Sequence, residues 1–318
     1  MKNPFVTNGY VSPEYFCDRE KETAKIVSLL TNENNIALIS PRRLGKTDLL
    51  RHCFGQPEIK EHYHTFIIDI YATSSVRDFV NVFGKAVLDE LRPKGKSVWG
   101  TFLNVLASLR SEITFDMNGQ PTWGIGLGAI TNPSATLDEI FSYLNNAGKP
   151  CLIAIDEFQQ ITKYADDPNI EAALRTHIQR CSNAHFVFSG SHRHLMGAMF
   201  TSPARPFYQS VTLINLPPIS VDKYAEFCLK HFERVSKHLD TLVVTELYER
   251  FNGITSYMQK VMNILFSMTG TGEICIPSMI DTAINDLLDF SADTYDALLY
   301  QMPEKQRIVF MAIAAEGK

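Results

Sequence analysis

No two of the six cysteines, at positions 17, 53, 151, 181, 228 and 275, stand in a CxxC spacing. That scatter excludes a disulfide framework and a zinc ribbon, and it fits reduced, buried thiols in a cytoplasmic protein. No stretch approaches the roughly 18 consecutive apolar residues that a membrane span requires. Met1-Lys2-Asn3-Pro4 leads into no apolar run of signal-peptide length. A cytoplasmic location with no membrane partner is therefore expected. Positive charge is not in excess either. A formal net charge of −5 gives no general attraction to nucleic acid or to anionic lipid. What the chain does have is 45% hydrophobic and 20% charged residues over 318 positions, enough to bury a core without staples.

Short apolar runs alternate with helical patterns through the first two-thirds. Ile36–Ile39, Phe66–Ile70, Leu152–Ile155 and Phe186–Phe188 read as strands buried on both faces. Between them the periodicity predicts helices over 20–31, 47–54, 76–92, 136–147 and 170–182. This alternation predicts an α/β fold: a parallel sheet with flanking helices. Residues 113–120 run into Asn118-Gly119, and 122–130 return as a second strand, so a hairpin is expected as an insertion at about 111–130. Gly124, Gly126 and Gly128 alternate with Ile125 and Leu127 at strand period and open no helix, so they read as strand rather than nucleotide loop. After Pro217-Pro218 strand signals nearly vanish, and 221–234, 241–251, 255–268 and 278–289 read as amphipathic helices.

The densest chemistry lies between the first strand and the next helix. Ser40-Pro41-Arg42-Arg43-Leu44-Gly45-Lys46-Thr47 matches the last three positions of the Walker A pattern G-x-x-x-x-G-K-[ST], with Ser40 at the first glycine. Gly45 lets the backbone curl so that successive N–H groups face phosphate, and the helix N-terminus adds partial positive charge. Lys46 would reach the β- and γ-phosphates, and the Thr47 hydroxyl would coordinate Mg²⁺. Residues 40–47 together with Asp48 are thus the expected seat of ATP or ADP.

A second element supports the first. Cys151–Ile155 reads as a buried strand that ends in Asp156-Glu157. At the carboxyl edge of a parallel sheet, Asp156 would hold the Mg²⁺ shell and Glu157 would act as base for the attacking water. A guanine-reading Asn/Thr-Lys-x-Asp motif is missing, which sets the chain apart from GTPases. His62/His64 and His192/His194 show no third ligand nearby in sequence and do not read as zinc sites.

Ser-Pro-Arg-Arg-Leu-Gly-Lys-Thr at 40–47 and Ile-Asp-Glu-Phe-Gln at 155–159 resemble the archaeal and bacterial STAND-type ATPases of the AAA+ superfamily. Phe16–Glu22, Phe188–Ser191, Arg205–Tyr208 and the helical block after 217 extend the likeness over most of the chain. The resemblance implies that residues around Gly9-Tyr10-Val11 flank the adenine and that Ser189 or Ser191 senses the γ-phosphate. It also implies that Arg205 stabilises that phosphate, with Arg42 and Arg43 as alternatives. One departure is Gly253-Ile254-Thr255, where the family's lid carries Gly-x-Pro. The segment 306–314 is similar to the first helix of a winged-helix module that would continue beyond residue 318.

The expected organisation is an ATPase domain over 1–216, a helical lid over 217–290, and a linker with the start of a winged helix over 291–318. The expected function is a regulatory switch that hydrolyses ATP slowly with Mg²⁺ and acts on a protein effector. The alternatives are a nucleotide-binding scaffold without useful turnover, and an initiator-like ATPase that engages DNA through the C-terminal module.

Overall fold

The computed structural model describes residues 3–91, 113–115, 121–123 and 133–316. Contacts divide the chain into two units, Arg19–Pro217 and Met1–Asp18 with Pro218–Lys318.

The first unit is built on a parallel sheet of β1 (Ile36–Ile39), β2 (His64–Asp69), β5 (Cys151–Asp156), β6 (Ala184–Gly190) and β7 (Thr212–Asn215), ordered β2-β5-β6-β1-β7. Between β2 and β5 in the chain, β3 (Ile113–Phe115) and β4 (Pro121–Trp123) pair antiparallel, with Ile113 opposite Trp123. The Asn118-Gly119 turn and Gly124, Gly126 and Gly128 lie outside the described residues. Every residue of β1, β5 and β6 is buried, which a strand achieves only when both faces are covered. The helix Val76–Glu90 shows how the cover is made. The Ser75 side chain caps it by accepting from the Asp78 N–H, and Phe79, Phe83 and Val87 are completely buried. On one face of β6, Phe186 and Phe188 join Phe158, Phe200 and Phe207 in a continuous aromatic layer with centroids 4.5–6.1 Å apart.

Strand β7 and the helices Pro57–His62 and Arg193–Thr201 were not read from the sequence. In β7 only Ile214 is buried, so Thr212–Asn215 offers no apolar run.

The second unit carries the helices Val221–Glu233, Thr241–Arg250, Thr255–Met268, Ile280–Gln301 and Glu304–Glu316. Two short parallel strands, β8 (His238–Leu239) and β9 (Ile274–Cys275), accompany them. Tyr224, Phe227, Cys228, His231 and Phe232 fall at helical spacing and are all buried. The sequence assigned residues 1–18 to the sheet domain, but they belong with these helices. Phe5 is completely buried, with its ring 5.6–6.0 Å from those of Phe227, Phe232 and Phe266, and Asn3 bonds the Asn263 carbonyl at 2.8 Å. The expected linker after 290 is also corrected, because the helix from Ile280 runs unbroken to Gln301. Along it and the helix that follows, Phe290, Tyr300, Ile308 and Met311 are exposed.

All six cysteines are buried, and none is in a disulfide. No described helix is long and apolar enough to cross a membrane.

Candidate functional site

Because the five strands run parallel, their carboxyl ends share one edge. Strand β6 lies between β1 and β5, pairing Ile39 with Gly190 on one side and Ile155 with Phe188 on the other. The loop after β1, the acids that end β5 and the Ser189-Gly190-Ser191 turn of β6 are therefore neighbours. Ligands bind at this edge in open α/β sheets.

The loop has the backbone its sequence predicts. Gly45 sits in the left-handed region, at φ 81°, and caps the helix Lys46–Phe54. Arg43 is left-handed too, at φ 69°. Ser40 replaces glycine without such strain. It is fully buried, its N–H meets the Gly190 carbonyl at 3.4 Å, and its hydroxyl donates to the Pro41 carbonyl at 3.0 Å.

Lys46 is 7% exposed, and its Nζ donates to the carbonyls of Ser40 and Pro41 at 3.1 and 3.2 Å. Burial lowers its proton affinity below that of an ordinary lysine. The Asp156 and Glu157 carboxylates oppose that shift, and the Arg42 charge adds to it. Thr47 Oγ1 donates to Asp156 Oδ2 at 2.5 Å, and Asp156 Oδ1 accepts the Glu157 N–H at 3.0 Å. A hydroxyl and a carboxylate thus stand together beside a cation, the hard-oxygen donor pair that Mg²⁺ uses when substrate phosphates complete its shell. Among the described residues no group of three His, Cys, Asp or Glu side chains could hold a metal by itself.

Glu157 has left-handed backbone, at φ 54°, and opens a 3₁₀ turn over Phe158–Lys163. Its Oε2 accepts from Ser191 Oγ at 2.9 Å and from Gln159 Nε2. Arg42 Nε approaches the same Ser191 oxygen at 3.4 Å, and its guanidinium lies 5.3 Å from the centre of the Tyr71 ring. Ser189 is fully buried and its hydroxyl has no hydrogen-bond partner.

The structure therefore brings together Lys46, Thr47, Asp156, Glu157 and, through Ser191, Arg42. Arg205 is engaged elsewhere, paired with Glu171, whose buried carboxyl is raised in pKa by desolvation against the pull of that arginine. Tyr10 and Val11 belong to the helical unit, where the Tyr10 ring packs edge-on to Phe16 at 5.6 Å and Val11 is 44% exposed. Gln159 stands two residues after Glu157, where the sequence alone leaves it between touching substrate and starting a loop.

A family described as an ATPase domain predominantly from Archaea matches residues 16–261. No curated protein matches the sequence. Among solved structures, the chain is similar to a Walker-type ATPase of Pyrococcus abyssi, with TM-score 0.63 and 18% identity over 94% of this chain and 79% of that one. It is also similar to the Aeropyrum pernix ORC1 protein, solved in complex with DNA, with TM-score 0.59 and 13% identity over 95% of this chain and 73% of the other. The Aeropyrum pernix ORC2 protein, in ADPNP–ADP complexes, follows with TM-score 0.57 and 13% identity over 90% and 72% of the two chains. At these identities the likeness is one of fold.

Proposed function

The chain belongs to the family of ATPase domains found predominantly in Archaea, and on that premise we propose that it is a nucleotide-driven switch. ATP binds on the loop 40–47, and its hydrolysis resets a conformational state that a protein effector reads. The observation that carries this reading is the Thr47–Asp156 contact at 2.5 Å beside the buried Lys46 ammonium. Those groups fit Mg²⁺ and triphosphate chemistry, with Thr47 and Asp156 as the residues that would hold the ion. Magnesium, when bound, neutralises charge on the phosphate oxygens.

Lys46 exchanges the Ser40 and Pro41 carbonyls for the β- and γ-phosphates. Glu157 orients a water and accepts its proton as that water attacks in line. Ser189 offers a free hydroxyl at the same edge. Of the arginine candidates, Arg42 is the one supported, because it already touches the group that holds Glu157, whereas Arg205 is paired with Glu171. A cytoplasmic setting accords with six buried thiols outside any disulfide.

Glu157→Gln tests the reading. It keeps size and hydrogen bonding while removing proton acceptance. ATP affinity should survive, and steady-state phosphate release should fall by about 10²-fold, the usual scale for losing a general base. Equal release by parent and variant would favour a nucleotide-binding scaffold. Turnover measured with and without duplex DNA separates the switch from an initiator-like ATPase.

A further inference from the structure

We propose that Gln159 is a positioning residue for Glu157, holding one carboxylate oxygen so that the other is free to take the proton of the attacking water. The inference rests on the assignment of Glu157 as base, and it adds a residue that assignment does not need.

Three observations converge on it. The first is burial. Gln159 is 3% exposed, yet it lies between Phe158 and the core residue Ile161, where an apolar side chain would pack without desolvating an amide. Its Oε1 is buried with no hydrogen-bond partner, so the glutamine is retained at a cost and not for packing.

The second observation is direction. The left-handed Glu157 backbone turns the chain at once into the 3₁₀ helix, and the amide two residues on comes back to the carboxylate. Gln159 Nε2 donates to Glu157 Oε2, the same oxygen that accepts from Ser191 Oγ at 2.9 Å. A glutamine carbonyl turned toward this carboxylate would repel it, so the amide orientation is fixed by charge. Among the described residues Oε1 of Glu157 receives no hydrogen bond. Two donors on one oxygen thus restrain the carboxylate and leave its other oxygen unengaged.

The third observation is space. A Cβ placed on Gly190 would fall 2.4 Å from Gln159 Oε1 and 2.6 Å from Cγ and Sδ of Met196. Strand β6 therefore lacks a side chain at the point where the amide must fit, and Ser191 follows immediately with the second donor. On the other side, the main-chain carbonyl of Gln159 accepts from Thr162 Oγ1 at 2.8 Å, which fixes the turn that carries it.

Gln159→Leu removes the donor while nearly keeping the volume. In the full chain it should lower kcat about tenfold, the lower range for a reacting group left loosely oriented. KM and the ATP Kd should stay within about twofold, because neither Lys46 nor Thr47 is touched. In a Glu157→Gln background the same change should lower residual turnover no further, since the group it positions is already disabled. Gln159→Met, unbranched and more adaptable, carries the same test if the leucine variant does not fold. Unchanged or raised kcat overturns the proposal, as do equal falls in both backgrounds, while the base assignment stands. If Glu157→Gln alone leaves turnover intact, the base assignment itself fails and the proposal falls with it.

Discussion

The two units bury very different things. Among the described residues of the sheet unit eleven polar or charged side chains are buried, and five of these, Ser40, Lys46, Asp156, Gln159 and Ser189, stand at the carboxyl edge of the strands. In the helical unit, among the described residues, the only such buried side chains are His231 and Thr269. Desolvating a polar group is costly, so a concentration of such groups marks where a fold sacrifices stability for chemistry. The helical unit is held by ring packing and helix caps instead, with Ser220 and Asp240 accepting from backbone N–H groups. One region is therefore expected to respond to substitution in function, the other in stability.

The largest effect that sharpens this contrast is at Lys46. Lys46→Ala removes the one buried cation of the loop, and calorimetry at matched salt should find ATP binding abolished with the fold intact. Near-equal affinity would show that the edge is not a phosphate site. Next comes the helical unit. Phe232 is completely buried, with its ring 5.1 Å from Phe266 and 5.9 Å from Phe5. Phe232→Ala should cost about 3–5 kcal/mol in denaturant unfolding, the usual range for emptying a core phenylalanine. A loss below about 1 kcal/mol would mean that this core is not the unit's support.

The smallest effect is a pH dependence with two opposite signs at one residue. Folding binds Lys46's proton less tightly than the unfolded chain does, because of burial. Lys46's own contribution to the stability of the nucleotide-free protein should therefore rise with pH between its folded and unfolded pKa, while the buried thiols, held above their ordinary pKa, pull total stability the other way over the same range. ATP affinity should fall in the same alkaline direction, and at lower pH than for an ordinary lysine, because binding requires the charged form. Lys46→Met should remove that contribution, so the stability of the parent relative to the variant should rise with pH in chemical denaturation across the alkaline range. A difference that does not change with pH would mean that Lys46 carries no such linkage.

Where the sequence was legible, burial was two-sided and the motif was local. Ile36–Ile39, the helix Glu20–Thr31 and the loop 40–47 stand where the apolar pattern and Gly-Lys-Thr predict them. The Thr47–Asp156 contact was legible as two motifs, since strand order at a parallel sheet's edge is constrained. Other features were set by distant partners. Phe5 looks like a residue of the sheet domain until Phe227, Phe232 and Phe266 enclose it, and no local period announces that. Resemblance makes Arg205 a phosphate ligand, whereas the structure pairs its guanidinium with Glu171, 34 positions earlier. Gln159 and Gly190 make sense only as a pair, because the missing side chain of one is the room for the other.

The buried cysteines have a practical corollary. Burial pushes Cys53 and Cys151 up to about 12 and raises Cys181, Cys228 and Cys275 as well. Only the thiolate is nucleophilic, so burial that disfavours it leaves Cys53 and Cys151 poorly reactive at neutral pH. Maleimide and iodoacetamide should pass these native thiols by. A single cysteine introduced at an exposed position such as Tyr71 or Phe290 would then take a fluorophore or spin label alone. The protein is a ready background for distance measurements on each unit, with its own cysteines left in place.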